Sequence, residues 1–133
     1  MTAIQVETSV RPTENPMKVR AAVLNIFPDA SFTEVEGRLS AEAHSLELLK
    51  ELFRTQRIRD TARWVLLKSR DESSIRFSLN KQTAFVGKAN FAPPSPMGPI
   101  TVTIEDEDLD AVIRFLTEKP EAEVPHSARG RTV

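Results

Sequence analysis

The chain has 133 residues, 40% of them hydrophobic and 28% charged, which is the composition of an ordinary globular protein that folds as one domain. The absence of cysteine excludes disulfides, thiol nucleophiles and cysteine-based zinc or iron–sulfur sites. The first residues lack the basic and apolar parts of a secretory signal, and no apolar run reaches the roughly 18 residues of a membrane span. We therefore expect a cytoplasmic protein without membrane contact.

The first third of the chain contains strand-like and helix-like patterns in turn. Apolar and polar residues alternate over residues 4–10, which predicts a strand. Helical spacing of apolar residues then predicts a helix whose first turn contains Pro16 and which ends before Pro28. Residues 32–43 alternate again and predict one strand with a bulge at Gly37.

Residues 45–69 have a helical pattern, but the apolar stripe changes phase along it. The stripe that contains Leu49 and Phe53 is rotated by roughly 200° from the stripe that contains Ala62 and Val65. Either the helix breaks near residues 55–57, or one continuous helix is buried on two sides. The sequence leaves both alternatives open.

Residues 75–79 and 85–91 both alternate, which predicts a β-hairpin with its turn at Asn80–Gln82 and its phenylalanines in the core. Gly87 in the second arm is interpreted as a bulge or a close backbone approach. A proline-rich loop follows, and residues 100–104 predict a further one-sided strand. Carboxylates at 105–108 suit the N-terminus of a last helix, because unpaired N–H groups favour negative charge there.

The order of these elements predicts a single α+β domain over residues 1–118 and a flexible tail over residues 119–133. We expect two layers, a mostly antiparallel sheet with helices packed on one face. The other face would be polar. Its expected side chains are Gln5, Glu7, Ser9, Arg76, Ser78, Asn80, Lys88, Asn90, Thr101 and Thr103.

Catalytic chemistry finds little support in the sequence. His44 and His126 are the only histidines, and His126 lies in the expected tail, so a triad or a two-histidine metal site is not easily assembled. The four glycines are isolated, so neither a phosphate-binding loop nor a dinucleotide fingerprint is present. We therefore predict no enzymatic activity, no metal and no cofactor.

Positive charge is concentrated in the middle of the chain, where residues 50–88 contain ten Lys or Arg and four Asp or Glu. Such a segment favours an anionic partner, and the Asn and Gln side chains within it suit sugar and base edges. The sequence predicts a non-enzymatic protein that binds structured RNA by shape through a basic helix and the adjoining hairpin. The candidate RNA-binding residues are Arg54, Gln56, Arg57, Arg59, Arg63, Lys68, Arg76, Asn80, Lys81, Gln82, Lys88 and Asn90.

The alternative function is a protein-interaction or self-assembly module, such as a homodimer, without a nucleic-acid ligand. Trp64 and Leu67 lie on the far side of their helix from Ala62 and Val65, where we expect them to pack against a neighbouring helix. If they are exposed instead, a subunit contact is favoured. Trp64 is the only tryptophan and tyrosine is absent, which limits base stacking.

Four segments resemble the hallmark segments of an archaeal family, uncharacterised protein family 0201: LNIFPDA (24–30), LLKELFRTQRIRDTAR (48–63), LNKQTAFVGKANF (79–91) and PMGPITVTI (96–104). The resemblance covers residues 3–117. It implies a fold similar to the large-subunit ribosomal protein that binds 5S ribosomal RNA, and an RNA-binding or exosome-subunit-like role with ribosomal-type RNA as the partner. The residues at matching positions are Gln56, Arg57, Asp60, Arg63, Asn80, Lys81, Gln82, Gly87 and Lys88.

Overall fold

The structure is a computed structural model that describes residues 2–92 and 98–118. Its strands are β1 (Ala3–Ser9), β2 (Ser31–Val35), β3 (Arg38–Ala43), β4 (Ser74–Leu79) and β5 (Ile100–Glu105). Its helices are α1 (Pro16–Leu24), α2 (Glu47–Thr55), α3 (Arg59–Ser69), α4 (Lys81–Phe85) and α5 (Leu109–Thr117). The expected tail at 119–133 lies outside the described residues. No helix within the described ranges is long and apolar enough to cross a membrane.

The five strands form one antiparallel sheet in the order β2-β3-β1-β5-β4. Side chains that face the helices are aligned across neighbouring strands. Val6 lies opposite Val102, and Val102 lies opposite Phe77. These side chains and those of the helices, such as Phe53 and Leu66, form one buried cluster. Burying each large side chain contributes about 1.5–3 kcal/mol. The predicted α+β class, with helices on one face of an antiparallel sheet, is confirmed.

The opposite face of the sheet is polar, as predicted. The predicted strand residues form two rows across β1, β5 and β4: Gln5, Thr103 and Arg76, then Glu7, Thr101 and Ser78. The prediction was wrong for Asn80, Lys88 and Asn90, which were expected on the same face. They lie outside the strands, because the segment that contains them does not form one.

Residues 32–43 form two strands, not one strand with a bulge. β2 and β3 pair from Ser31–Glu42 to Val35–Arg38, so only two residues connect them. Gly37 in this connection has a φ of +76°, the left-handed region that glycine adopts without steric cost. The period-2 pattern continues through the turn, which is why the sequence alone does not reveal the reversal.

The predicted hairpin of residues 75–91 was also wrong. β4 pairs with β5, while residues 81–85 form the short helix α4. The Asn80 side chain accepts a hydrogen bond from the Thr83 N–H (3.0 Å) and caps this helix. Phe85, expected in the core, is 40% exposed. Residues 90–92 then return beside β4 with only two backbone hydrogen bonds, from Asn80 N–H to the Asn90 carbonyl and from Ala92 N–H to the Ser78 carbonyl.

The two alternatives for residues 45–69 are resolved in favour of two helices. α2 buries Leu49 and Phe53, and α3 buries Ala62 and Leu66. All four side chains belong to the same core cluster. The change of phase in the apolar stripe therefore marks a change of helix direction at residues 56–58.

Candidate nucleic-acid interface

α2 ends in a Schellman turn that has an arginine where glycine is usual. The Ile58 N–H donates to the Phe53 carbonyl (3.0 Å) and the Arg57 N–H to the Arg54 carbonyl (3.1 Å), the two hydrogen bonds of this motif. Arg57 is the residue in the left-handed region, with a φ of 59°. A side chain there costs about 1–2 kcal/mol relative to the right-handed conformation. Non-glycine residues held in this region concentrate at functional sites, so Arg57 is a functional candidate.

α4 ends in the same motif, with a glycine in the corresponding place. The Lys88 N–H donates to the Thr83 carbonyl (2.9 Å) and the Gly87 N–H to the Ala84 carbonyl (3.0 Å). Gly87 has a φ of +79°, and a Cβ built on it would meet nothing within 4 Å. The predicted bulge or close approach at Gly87 is therefore wrong. Glycine is used here for its left-handed backbone, since it ends the helix and turns the chain toward Lys88.

The side chain of Gln56 fastens these two helix ends together. Its Nε2 donates to the Ala89 carbonyl (3.0 Å), and its Oε1 accepts from the Ala89 N–H (2.8 Å). Nε2 also lies 3.3 Å from the Asn90 Oδ1. Ala89 is fully buried. Gln56 thus satisfies both polar backbone groups of a buried residue, which a hydrophobic side chain could not do.

Arg57 directly follows Gln56 in the chain, and Lys88 directly precedes Ala89. Both side chains are exposed, as is that of Asn90. We call Arg57, Lys88 and Asn90 the joint surface. The carbonyl ends of α2 and α4 carry partial negative charge, which stabilises the two cations at these positions. The joint surface combines two positive charges with an amide that can both donate and accept hydrogen bonds.

A cleft of about 330 Å³ lies beside the joint surface, at the outer edge of β4. We call it the edge cleft; it is lined by Val65, Ser69, Arg76, Phe77, Ser78, Phe91 and Ala92. Phe91 forms its apolar base, with its ring 5.6 Å from that of Phe53 and 5.7 Å from that of Phe77. Asn90 of the joint surface directly precedes Phe91 of the edge cleft in the chain. The exposed guanidinium of Arg76 adds a positive charge at its open side.

Arg54 and Arg59 lie elsewhere, in a cluster of mixed charge between α2, α3 and the end of α5. This cluster is lined by Glu47, Lys50, Glu51, Arg54, Arg59, Leu116 and Glu118. Arg54 forms an ion pair with Glu51. The hydrogen bond from Arg54 lowers the pKa of Glu51, so that carboxylate stays charged. Acidic and basic side chains balance here, which leaves the cluster less suited to phosphate than the joint surface.

Lys81 has a structural task. Only 6% exposed, its ammonium donates to the Ser9 carbonyl (2.8 Å) and contacts both carboxylate oxygens of Glu14 (3.2 Å each). Burial raises the pKa of Glu14, but hydrogen bonds from the Arg11 N–H and the Lys81 ammonium outweigh this and hold the pKa below its ordinary value of 4.5. Lys81 therefore joins α4 to the end of β1, and we leave it out of the proposed interface.

The remaining predicted residues are distributed over the surface. Arg63, Lys68 and Gln82 are exposed, with Arg63 and Lys68 on α3 and Gln82 on α4. Asn80 is half-buried as the cap of α4. Among the described residues, no group of three or more histidine or acidic side chains is placed to hold a metal ion. Of the acidic run at 105–108, Asp108 caps α5, since its side chain accepts from the Ala111 N–H (3.0 Å), whereas Glu105 is the last residue of β5.

Comparison with known proteins identifies the family. A family model described as RNA binding matches residues 3–106. The UPF0201 protein of Pyrococcus horikoshii is 37% identical over 130 residues, which cover 92% of this chain and 94% of that protein. The UPF0201 protein of Sulfolobus acidocaldarius is 44% identical over 135 residues, or 94% of this chain and 93% of that protein. The chain belongs to the archaeal UPF0201 family.

The fold of this family member is also found in a solved relative. The crystal structure of the UPF0201 protein from Methanococcus jannaschii matches it with a TM-score of 0.82 and 38% identity, and covers 92% of this chain and 97% of that one. Some relatives are longer, since the match spans 65% of the Methanocaldococcus jannaschii sequence. The resemblance drawn from the four sequence segments is confirmed. The further likeness to the ribosomal protein stays a prediction.

Trp64 is another residue whose predicted environment was wrong. It does not pack against a neighbouring helix, because it is 61% exposed, and Leu67 beside it is 47% exposed. The signal was present in the sequence, since Arg63 and Lys68 flank Trp64 on a face opposite to the buried Ala62 and Leu66. An exposed apolar pair at this position favours contact with a partner, a second subunit among them, and not with a second helix of the same chain.

Proposed function

We propose that this protein binds structured RNA through the joint surface and the edge cleft, without catalysing a reaction on it. Membership of a family whose model is described as RNA binding supports an RNA partner. The observation that carries the proposal is the left-handed Arg57, which the fold holds at a cost next to Lys88. A strained arginine fixed beside a second cation suits phosphate contacts, which position RNA without reading its sequence.

The arrangement of charged and polar groups suits recognition of duplex or folded RNA by shape. Arg57, Lys88 and Arg76 supply three exposed cations along the edge of the molecule. Ser78 in the edge cleft and Asn90 in the joint surface supply a hydroxyl and an amide, which suit ribose 2′-hydroxyls, the groups that distinguish RNA from DNA. If three phosphates are neutralised, the logarithm of the affinity falls with the logarithm of salt concentration at a slope of about −2 to −3.

Charge reversal tests the proposal. We expect the triple variant Arg57→Glu, Arg76→Glu, Lys88→Glu to lose salt-dependent binding of archaeal ribosomal RNA in a filter-binding assay. Its melting temperature should fall only modestly, because all three side chains are exposed and each charge at a helix end is worth about 0.3–1 kcal/mol. Lys18→Glu is the control. Lys18 is an exposed cation on α1 that belongs to neither the joint surface nor the edge cleft. Wild-type protein that binds no RNA at low salt would refute the proposal.

A further inference from the structure

The exposed indole of Trp64 stands out on a helix that is otherwise polar on its outer face. The Trp64 side chain is 61% exposed, and together with Leu67 it presents apolar surface to solvent between charged residues. The Lys68 ammonium lies 4.4 Å from the centre of the ring, a cation–π contact between side chains one turn apart. Lys68 occupies one face of the indole, so a flat ligand would stack on the other.

The charge around Trp64 indicates the chemistry of that ligand. Trp64 has the exposed Arg63 before it and Lys68 one turn after it, against the single carboxylate of Asp60 one turn before it. Phe115 on α5 offers a direct comparison, because it is also exposed (37%) and has the Lys50 ammonium 4.7 Å from its ring. Around Phe115, however, a cleft contains Glu47 and Asp106 as well as apolar side chains. A polyanion with flat apolar groups therefore fits the surroundings of Trp64 and not those of Phe115.

The position of Trp64 connects it to the proposed interface. Val65 and Ser69, which line the edge cleft, directly follow Trp64 and Lys68 in the chain. Helix geometry turns successive side chains by about 100°, so Trp64 and Lys68 face away from the cleft-lining side chains by that angle on the same two turns of α3. A nucleotide whose phosphate contacts Lys68 could extend its chain into the edge cleft toward Arg76.

We infer that Trp64 stacks an unpaired base of the RNA bound at the edge cleft, an inference that rests on the proposed function. The substrate class is then RNA with a loop, bulge or single-stranded segment, since bases inside an uninterrupted duplex are already stacked on one another and cannot reach the ring. A stacked base contributes about 1–3 kcal/mol, which corresponds to a change in affinity of roughly 5- to 150-fold.

The fluorescence of the full chain tests this inference, because Trp64 is its single tryptophan. The probes are a fluorescein-labelled RNA hairpin of about ten base pairs with a loop of about eight nucleotides, and the same stem as a blunt duplex. We expect the hairpin, and not the duplex, to quench Trp64 emission over the concentrations at which the fluorescein anisotropy rises. Trp64→Ala should weaken hairpin binding by roughly 5- to 150-fold and leave duplex binding unchanged.

Matched variants separate stacking from a loss of structure. Trp64→Phe should retain most of the hairpin affinity, because a phenyl ring also stacks, and Phe115→Leu should have no effect. Alanine is the best helix former, so Trp64→Ala should melt at the wild-type temperature.

Two outcomes would overturn the inference in distinguishable ways. Salt-dependent binding of both RNAs with unquenched Trp64, and no effect of Trp64→Ala, would refute the stacking role and leave the proposed function standing. Absence of RNA binding, with Trp64 emission that shifts as protein concentration and light scattering rise together, would refute both and indicate a second copy of the chain on this face.

Discussion

Replacing Arg57 with glycine should make the protein more stable and a weaker RNA binder at the same time. The left-handed backbone at Arg57, with a φ of 59°, costs about 1–2 kcal/mol for a residue with a Cβ and nothing for glycine. Glycine also gives the unfolded chain more freedom, which costs about 0.4–1 kcal/mol of stability. The net gain is about 0.5–1 kcal/mol in the free energy of unfolding, or roughly 2–4 °C in melting temperature.

Arg57→Ala is the control that separates strain from charge. Alanine has a Cβ, so it retains the strained backbone while it removes the guanidinium. We expect Arg57→Ala to gain no stability, and both variants to lose the same RNA affinity. Loss of one phosphate contact should reduce the salt slope by about 0.7–0.9 and weaken binding roughly fivefold at physiological salt. Calorimetric melting and filter binding over a range of salt concentrations measure the two effects.

Two results would refute this reasoning at different points. If Arg57→Gly melts at or below the temperature of Arg57→Ala, then the Schellman turn after α2 does not store the strain that its geometry indicates. If Arg57→Gly is stabilised but binds RNA as tightly as the wild type, then Arg57 is strained for a reason other than RNA contact. Only a stability gain together with an affinity loss supports the proposed role.

The other predictions concern the contacts that hold the interface in place. Gln56→Ala leaves both backbone groups of the buried Ala89 without their partner, so we expect the free energy of unfolding to fall by about 1–3 kcal/mol. Hydrogen exchange at the Ala89 amide should become faster and RNA binding weaker. Unchanged exchange would contradict the role of Gln56 in joining the two helix ends. Because the pKa of Glu14 is below its ordinary value of 4.5 in the folded state, its contribution to stability is present above that pH and is lost as pH falls through the folded pKa. Between about pH 5.5 and pH 3, Glu14→Gln should therefore lose less free energy of unfolding than the wild type, as measured by urea unfolding. An equal loss in the two proteins would show that Glu14 is not the group that makes stability depend on pH in this range.

The interface depends on two helix ends that meet, and this explains the roles within the segment LNKQTAFVGKANF (79–91). Asn80 starts α4, Gly87 ends it, and Lys81 anchors it to β1. Only Lys88 and Asn90, with Gln82 on α4, have exposed polar side chains. Most of a segment that is rich in polar and basic residues is therefore occupied with folding, and its functional part is small.

Local patterns determined much of this protein. The alternation at residues 4–10 and 100–104 predicted β1 and β5, and the apolar stripe predicted the helical character of 45–69 and its change of phase. The sequence also showed that positive charge is concentrated in the middle of the chain, and four of its segments identified the family. These features depend on neighbouring residues alone, because side-chain periodicity is set by the geometry of each element.

The tertiary structure decided which element each pattern became. Residues 85–91 alternate like a strand, but β5 pairs with one edge of β4 along its whole length and sets Ile100, Val102 and Ile104 level with the three inward side chains of β4. At the other edge of β4 the returning segment pairs at Phe91 and Leu79, after residues 81–85 have formed α4. The same long-range packing put Lys81 inside and left Trp64 outside, because both outcomes depend on residues far away in the sequence.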